Sequence, residues 1–139
     1  MRIVLDTNVV LVSIPKLSKY RPIFEGLLLK KYTLIISNEM LAEYEEIIAR
    51  KTNAIVAENI IKMLITLTNV EKTEIYYRWN LIEPDMDDNK FVDCAIAGNA
   101  DYLVSDDQHF NVLKSIDFPE VPLLRAEEFL EILKNEREN

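Results

Sequence analysis

One cysteine and one histidine stand in the 139 residues of this chain, too few for a disulfide framework or for a zinc site built from those residue types. The thiol, Cys94, is expected in the core as a free, small apolar group, consistent with a reducing compartment. Glycine is scarce too, with two residues, and there are five prolines. No Gly/Ser linker, Pro-rich spacer, low-complexity stretch or internal repeat divides the chain, so a single domain over residues 1–139 is expected. No apolar run reaches the roughly 18 residues that cross a bilayer. In the opening MRIVLDTN an acid, Asp6, arrives before a signal-peptide apolar region develops. A soluble, cytoplasmic protein with no membrane partner is expected. With 49% apolar and 29% charged residues, the chain is of ordinary globular composition and long enough to bury about two thirds of its unfolded surface.

Positive charge is also in short supply. Sixteen Lys and Arg face twenty-four Asp and Glu, a net charge of −8, which at first argues against an anionic partner. The deficit is local, however. Residues 1–70 carry 9 basic and 7 acidic residues, and residues 71–139 carry 7 and 17. A polyanion would engage the basic first half, through Lys16, Lys19, Arg21, Lys30, Lys31, Arg50 and Lys51, or cations held by the acids.

What is present is an alternation of short apolar runs and helical periods. Arg2 to Leu5, Leu34 to Ile36 and Tyr102 to Val104 are short, nearly all-apolar runs that each end in a polar residue, which predicts strands buried on both faces. Glu74 to Trp79 reads as an edge strand and Val121 to Leu124 as a last strand. Helical spacing covers Arg21 to Lys31, Asn38 to Arg50 and Val56 to Leu67. A further helix runs from Asp88 through Phe91, Val92, Ala95 and Ile96 to a cap at Gly98, and an acidic helix, Ala126 to Leu133, closes the chain. This order predicts a three-layer α/β/α fold with a mainly parallel central sheet. Ligands of such sheets sit outside the carboxyl ends of the strands.

The residues just after those strands are acids or hydroxyls: Asp6, then Ser37, then Ser105, Asp106 and Asp107. Glu43 lies one or two turns into the helix after Ser37, and Asp85, Asp87 and Asp88 precede the helix ending at Gly98. Carboxylates converging with no basic residue among them repel one another unless a cation sits between them. Hard oxygen donors select Mg²⁺ or Mn²⁺.

The run IVLDTNVV, then SNEMLAEYEEIIARK, then PDMDDNKFVDCAIAGNADYLVSDDQHF resembles the PIN domain family of metal-dependent nucleases, and within it the toxin components related to VapC-like ribonucleases. The resemblance covers nearly the whole chain. It implies that Asp6, Glu43, Asp88 and Asp107 are the catalytic, metal-holding acids, with Asp87 and Asp93 as alternates for the third. Where the family usually has V-T-x-D, Ser105 keeps the hydroxyl and Asp106 occupies the variable place, so Asp106 is a further candidate ligand. Thr7, Asn8, Ser37 and Ser105 would support the acids or the scissile phosphate by hydrogen bonds. The implied activity is metal-dependent hydrolysis of RNA, giving a 5′ phosphate and a 3′ hydroxyl. The implied partners are RNA, an antitoxin protein and a second copy of the chain.

Each residue also has a plain structural use. Asp6 suits an Asx turn, Asp88 and Asp107 suit helix caps, and Glu43 with Glu39, Glu45 and Glu46 reads as a solvated helix face. His109 is a surface residue or, less readily, a general base. Tyr76, Tyr77 and Trp79 suit packing or a dimer contact better than base stacking. A receiver-type switch lacks its second acid after the first strand and its late lysine, and a D-x-D phosphatase has Asn8 where its proton donor belongs. The remaining alternative is a catalytically silent PIN-fold module that binds RNA or protein.

Overall fold

In a computed structural model, described for residues 1–83 and 86–138, the chain builds a five-stranded sheet between helices. Pro84, Asp85 and Asn139 lie outside the described residues, and Met86, Arg137 and Glu138 are described by backbone alone. In chain order the elements are β1 (Arg2–Leu5), α1 (Thr7–Ser13), α2 (Arg21–Leu28), β2 (Thr33–Ile36), α3 (Asn38–Lys51), α4 (Ala54–Thr66), β3 (Val70–Lys72), α5 (Asn89–Ala97), β4 (Tyr102–Val104), β5 (Leu123–Leu124) and α6 (Ala126–Glu138). A 3-10 segment, Gln108–Ser115, lies between β4 and β5.

The strand order is β3-β2-β1-β4-β5, and all four pairings are parallel. The expected mainly parallel sheet is therefore wholly parallel among the described residues. Strand β1 lies at its centre, with Ile3 opposite Leu34 on one side and Tyr102 on the other. The right-handed rule for parallel crossovers puts α1 to α4 on one face while the chain moves outward from β1 to β3. The return to β4 reverses that direction and places α5 on the other face, giving three layers. Ile3, Val4, Leu34, Ile35, Ile36, Leu103 and Val104 are buried accordingly, as near-continuous apolar strands require.

Glycine matters at one close approach. A Cβ on Gly98, the cap of α5, would lie 2.5 Å from Ile35 Cγ2 on β2, so the helix can end against the sheet only without a side chain there.

Three features depart from the expectations. Thr7–Ser13 is a helix: Thr7, Val9, Val10 and Ser13 are buried on one broad face toward α2 and α3 while Asn8 and Val12 are exposed, a pattern too short and too β-branched to stand out as helical spacing. Gln108–Ser115 is a 3-10 helix where the sequence pattern predicts no element. Glu74 to Trp79 is not a strand. The edge pairing stops at Lys72, and the following segment is held by side chains instead. Asn89 accepts from the Ile82 N–H and donates to its carbonyl, each at 2.9 Å, and Asp93 accepts from the Trp79 N–H at 3.0 Å.

Candidate active site

The neighbours of β1 are reached by crossovers that leave in opposite directions, so the carboxyl ends of β1 and β4 frame a topological switch point where such sheets open a crevice. Asp6 sits at one rim. Its N–H donates to the Val104 carbonyl at 3.0 Å, and its own carbonyl accepts from Val9 and Val10 to start α1. Its side chain, on a residue only 6% exposed, accepts from the Ser105 hydroxyl at 2.7 Å. That hydroxyl in turn accepts from the Asp107 N–H at 3.0 Å. One serine thus ties the Asp6 carboxylate to the backbone that presents Asp107.

Glu43 reaches the same region from α3. The Thr7 hydroxyl donates to its Oε2, and the Lys90 ammonium lies 2.9 Å from its Oε1. Lys90 Nζ is also 3.0 Å from Asp87 Oδ1 and 2.7 Å from the Asp87 carbonyl, so three acceptors face its three N–H donors. The lysine side chain is only 9% exposed. The expectation of acids with no basic residue among them is therefore corrected. On a helix-surface reading Lys90 belongs in solvent, yet it stands in the first turn of α5, where Asn89 to Ala95 are all buried. Its head lies 5.3 Å from the centre of the Phe91 ring and turns inward to Glu43.

Asp88 occupies the cap position of α5 without a side-chain capping bond. His109 Nδ1 lies 3.5 Å from Asp88 Oδ2 and 3.6 Å from Asp107 Oδ1. Asp88, Asp107 and His109 each offer a donor atom, all within 4.8 Å of one another. Asp107 also accepts from the His109 N–H at 2.9 Å, capping the 3-10 segment.

The electrostatics join these groups. Burial pushes the Asp6 carboxyl up to about 6; the Ser105 hydroxyl and the Thr7 N–H pull it down, and the charges of Asp107 and Glu43 push it up. A carboxylate so destabilised by burial and like charges is the state that a bound cation relieves. Together with the oxygen and nitrogen donors within 4.8 Å of one another, the residues present fit a divalent ion. Two clefts flank them. One of about 270 Å³ is lined by Asp6, Asn8, Val9, Tyr20, Asp106 and Asp107. The other, about 470 Å³, is lined by Glu39, Glu43, Glu46, Arg50, Asp87 and Lys90 among others.

The sequence profile of the PIN domain matches residues 2–109, a span that includes every acid just described. The chain belongs to the PIN domain family. The fold agrees: the chain superposes on one in the crystal structure of VapBC2 from Rickettsia felis bound to a DNA fragment from their promoter, with a TM-score of 0.62 and 22% identity over 90% of this chain and 98% of that one. None of the curated proteins matches the sequence.

In this PIN domain, Asp107 and Glu43 lie near enough to Asp6 for their charges to act on it, Asp88 lies beside Asp107 and His109, and Thr7 and Ser105 bond to Glu43 and Asp6. Asn8 is exposed on the wall of the smaller cleft. The other candidates have partners of their own. Asp106 shares that wall, but its Oδ1 accepts from the Ala126 N–H at 2.9 Å and lies 3.8 Å from Arg125 Nε, where it fastens α6. Asp87 holds Lys90, and Asp93 holds the Trp79 backbone. Ser37 accepts from the Met40 N–H at 3.3 Å and caps α3. Lys90 and Asn89 are the residues that the sequence reading missed. Their signal was positional: both stand directly after Asp88, on the helix turn closest to the acids.

Proposed function

We propose that this PIN domain is a metal-dependent endoribonuclease acting through Asp6, Glu43, Asp88 and Asp107. The observation that carries the reading is the chain of neighbouring acids, Glu43 and Asp107 about Asp6 and Asp88 beside Asp107, two of them held by hydroxyls and Asp6 raised to about 6 by burial and its acidic neighbours. Asp6, Asp88 and Asp107 are the groups to hold Mg²⁺ or Mn²⁺. When bound, a divalent ion supplies acidity to water and offsets charge that develops on phosphate oxygens.

The chain's own residues set the geometry. Ser105 fixes the Asp6 carboxylate and the Asp107 backbone in one hydrogen-bonded link, so their separation is defined before a substrate arrives. Thr7 and Lys90 hold Glu43 from both oxygens, which orients it and lowers the repulsion it exerts on Asp6. No protein nucleophile is required, which suits a chain whose cysteine is buried with its thiol pushed up to about 12 by burial. For the phosphate backbone, Lys90 and Arg50 line the larger cleft beside Glu43, each already ion-paired there, Lys90 with Glu43 and Asp87 and Arg50 with Glu46, while Lys19 and Arg21 pair with Glu127 and Glu25.

The likeness to VapBC2 supports a narrower reading, that the domain is the toxin of a toxin-antitoxin pair, restrained by an antitoxin protein; a homodimer in the cytoplasm is a further part of the proposal. Among the described residues no helix is long and apolar enough to cross a membrane. The test is cleavage of end-labelled single-stranded RNA with Mn²⁺, Mg²⁺ or EDTA, comparing the wild type with Asp6→Asn and Asp88→Asn. Metal-dependent cutting that both variants lose is the expected result. Equal traces from wild type and variants would leave the silent binding module as the better reading.

A further inference from the structure

We propose that His109 is a nitrogen ligand of the metal site and makes that site prefer Mn²⁺ and Co²⁺ to Mg²⁺. The inference rests on the metal-dependent reading above and extends it to a residue outside the four acids. The imidazole is aimed at the acids rather than away from them. Its Nδ1 lies 3.5 Å from Asp88 Oδ2 and 3.6 Å from Asp107 Oδ1. Adjacent donor atoms in an octahedral shell with bonds of about 2.1 Å lie about 3 Å apart, and opposite ones about 4.2 Å. Both imidazole distances fall between those limits.

The position is also fixed locally. Asp107 caps the Gln108–Ser115 segment by accepting from the His109 N–H at 2.9 Å. That bond ties the backbone of His109 to the carboxylate that its ring faces, and Phe110, the next residue, is fully buried and packs 6.3 Å from the Phe91 ring of α5. The histidine is thereby carried on the same packed surface as Asp88, which stands at the start of α5. The ring itself remains exposed on one side, so it can adjust to an ion without disturbing the core.

The donor set then differs in kind from an all-carboxylate site. Mg²⁺ takes oxygen donors and dehydrates reluctantly, whereas imidazole suits first-row transition ions in increasing order from Mn²⁺ to Co²⁺. The ring has one other use that the same distances allow, an ion pair with Asp88 and Asp107. The two uses have opposite consequences. Removing a ligand weakens transition ions selectively, while removing a competing positive charge strengthens every divalent ion together.

Calorimetric titration of wild type, His109→Ala and His109→Gln with Mn²⁺, Co²⁺ and Mg²⁺ at about pH 7.5 separates them. The expected result is a loss of about tenfold or more for Mn²⁺ and Co²⁺, with Mg²⁺ changed by about twofold or less. Electron spin-echo modulation of bound Mn²⁺ should show coordinated nitrogen in the wild type and lose it in both variants. Equal shifts for all three ions, or wild-type Mn²⁺ without nitrogen modulation, overturns the assignment of His109 alone. Wild-type protein that binds none of the three overturns the metal-dependent reading as well.

Discussion

Replacing Asp6 by Asn in the absence of metal should stabilise the protein at neutral pH. The folded-state value of Asp6 is about 6 against an ordinary 3.8. A carboxyl whose folded value lies above its unfolded one keeps its proton longer in the native state. Between those two values the native state binds more protons than the unfolded state, and stability falls as pH rises. The full penalty, present above about pH 6, is about 3 kcal/mol. Asn never ionises and escapes it. It still offers an oxygen to the Ser105 hydroxyl, but its amide needs an acceptor, a loss of about 1 kcal/mol. The net gain at about pH 7.5 is about 2 kcal/mol, or about 6 °C in Tm for a domain of this size. At about pH 4 the gain should vanish and the wild type should lead slightly. Calorimetric melts of both proteins in EDTA across that range test this. A variant less stable than wild type at neutral pH, or a difference independent of pH, would refute the picture of Asp6 as a buried, strained carboxylate. With Mn²⁺ added the order should reverse, because the ion stabilises only the protein that holds it. An equal rise in both would place the ion away from Asp6.

The remaining expectations concern the groups around that carboxylate. Lys90→Met leaves Glu43 without its buried cation and should lower stability by about 2 kcal/mol in urea melts, while Lys90→Arg recovers part of it. Asp88→Asn should abolish RNA cleavage and Asp93→Asn should largely keep it, since Asp93 faces the Trp79 backbone; the reverse pattern would move the third acid to Asp93. Asn89→Ala strips both partners from the Ile82 backbone, so hydrogen exchange across residues 73–82 should accelerate by about tenfold or more for a loss of about 1.4 kcal/mol or more. Gly98→Ala forces a methyl to within 2.5 Å of Ile35 Cγ2 and should cost about 1–3 kcal/mol, read as a lower Tm with an unchanged denaturant slope.

The elements that could be read from sequence are those whose burial has one period. β1 and β4 occupy the residues expected, and α3, α4 and α5 differ from expectation by two residues or fewer at each end, because a strand buried on both faces and a helix with one apolar stripe each leave a distinct pattern. Thr7–Ser13 hides from that test: TNVVLVS is rich in β-branched residues and, at 7 residues, too short for a helical period to repeat. Glu74 to Trp79 misleads in the opposite direction. Its Ile, Tyr and Trp residues have strand propensity, but Tyr76 and Tyr77 are exposed, and its end at Trp79 is fastened by Asp93 on another element, as Ile82 just beyond it is by Asn89. Propensity describes a side chain's preference for a pleated surface and says nothing of whether a neighbouring strand is there to pair.

The places of two candidate acids follow from topology. In a parallel sheet the residue after each strand faces the crevice, so Asp6, directly after β1, and Ser105, directly after β4, are placed once the strands are, with Asp107 two residues further on. Charge balance was not legible, since it depends on which way a long side chain turns. Lys90 reads as a solvated cation on any helical wheel, yet Glu43 and Asp87 draw it inward. Its ammonium offsets one charge of the acid cluster permanently, whereas Asp6 retains a raised value beside Asp107. The site is thus compensated on the Glu43 side by the chain itself and left in need of a cation on the Asp6 side. That asymmetry predicts that Lys90→Met will weaken stability with or without metal, while Asp6→Asn will weaken it only when metal is present.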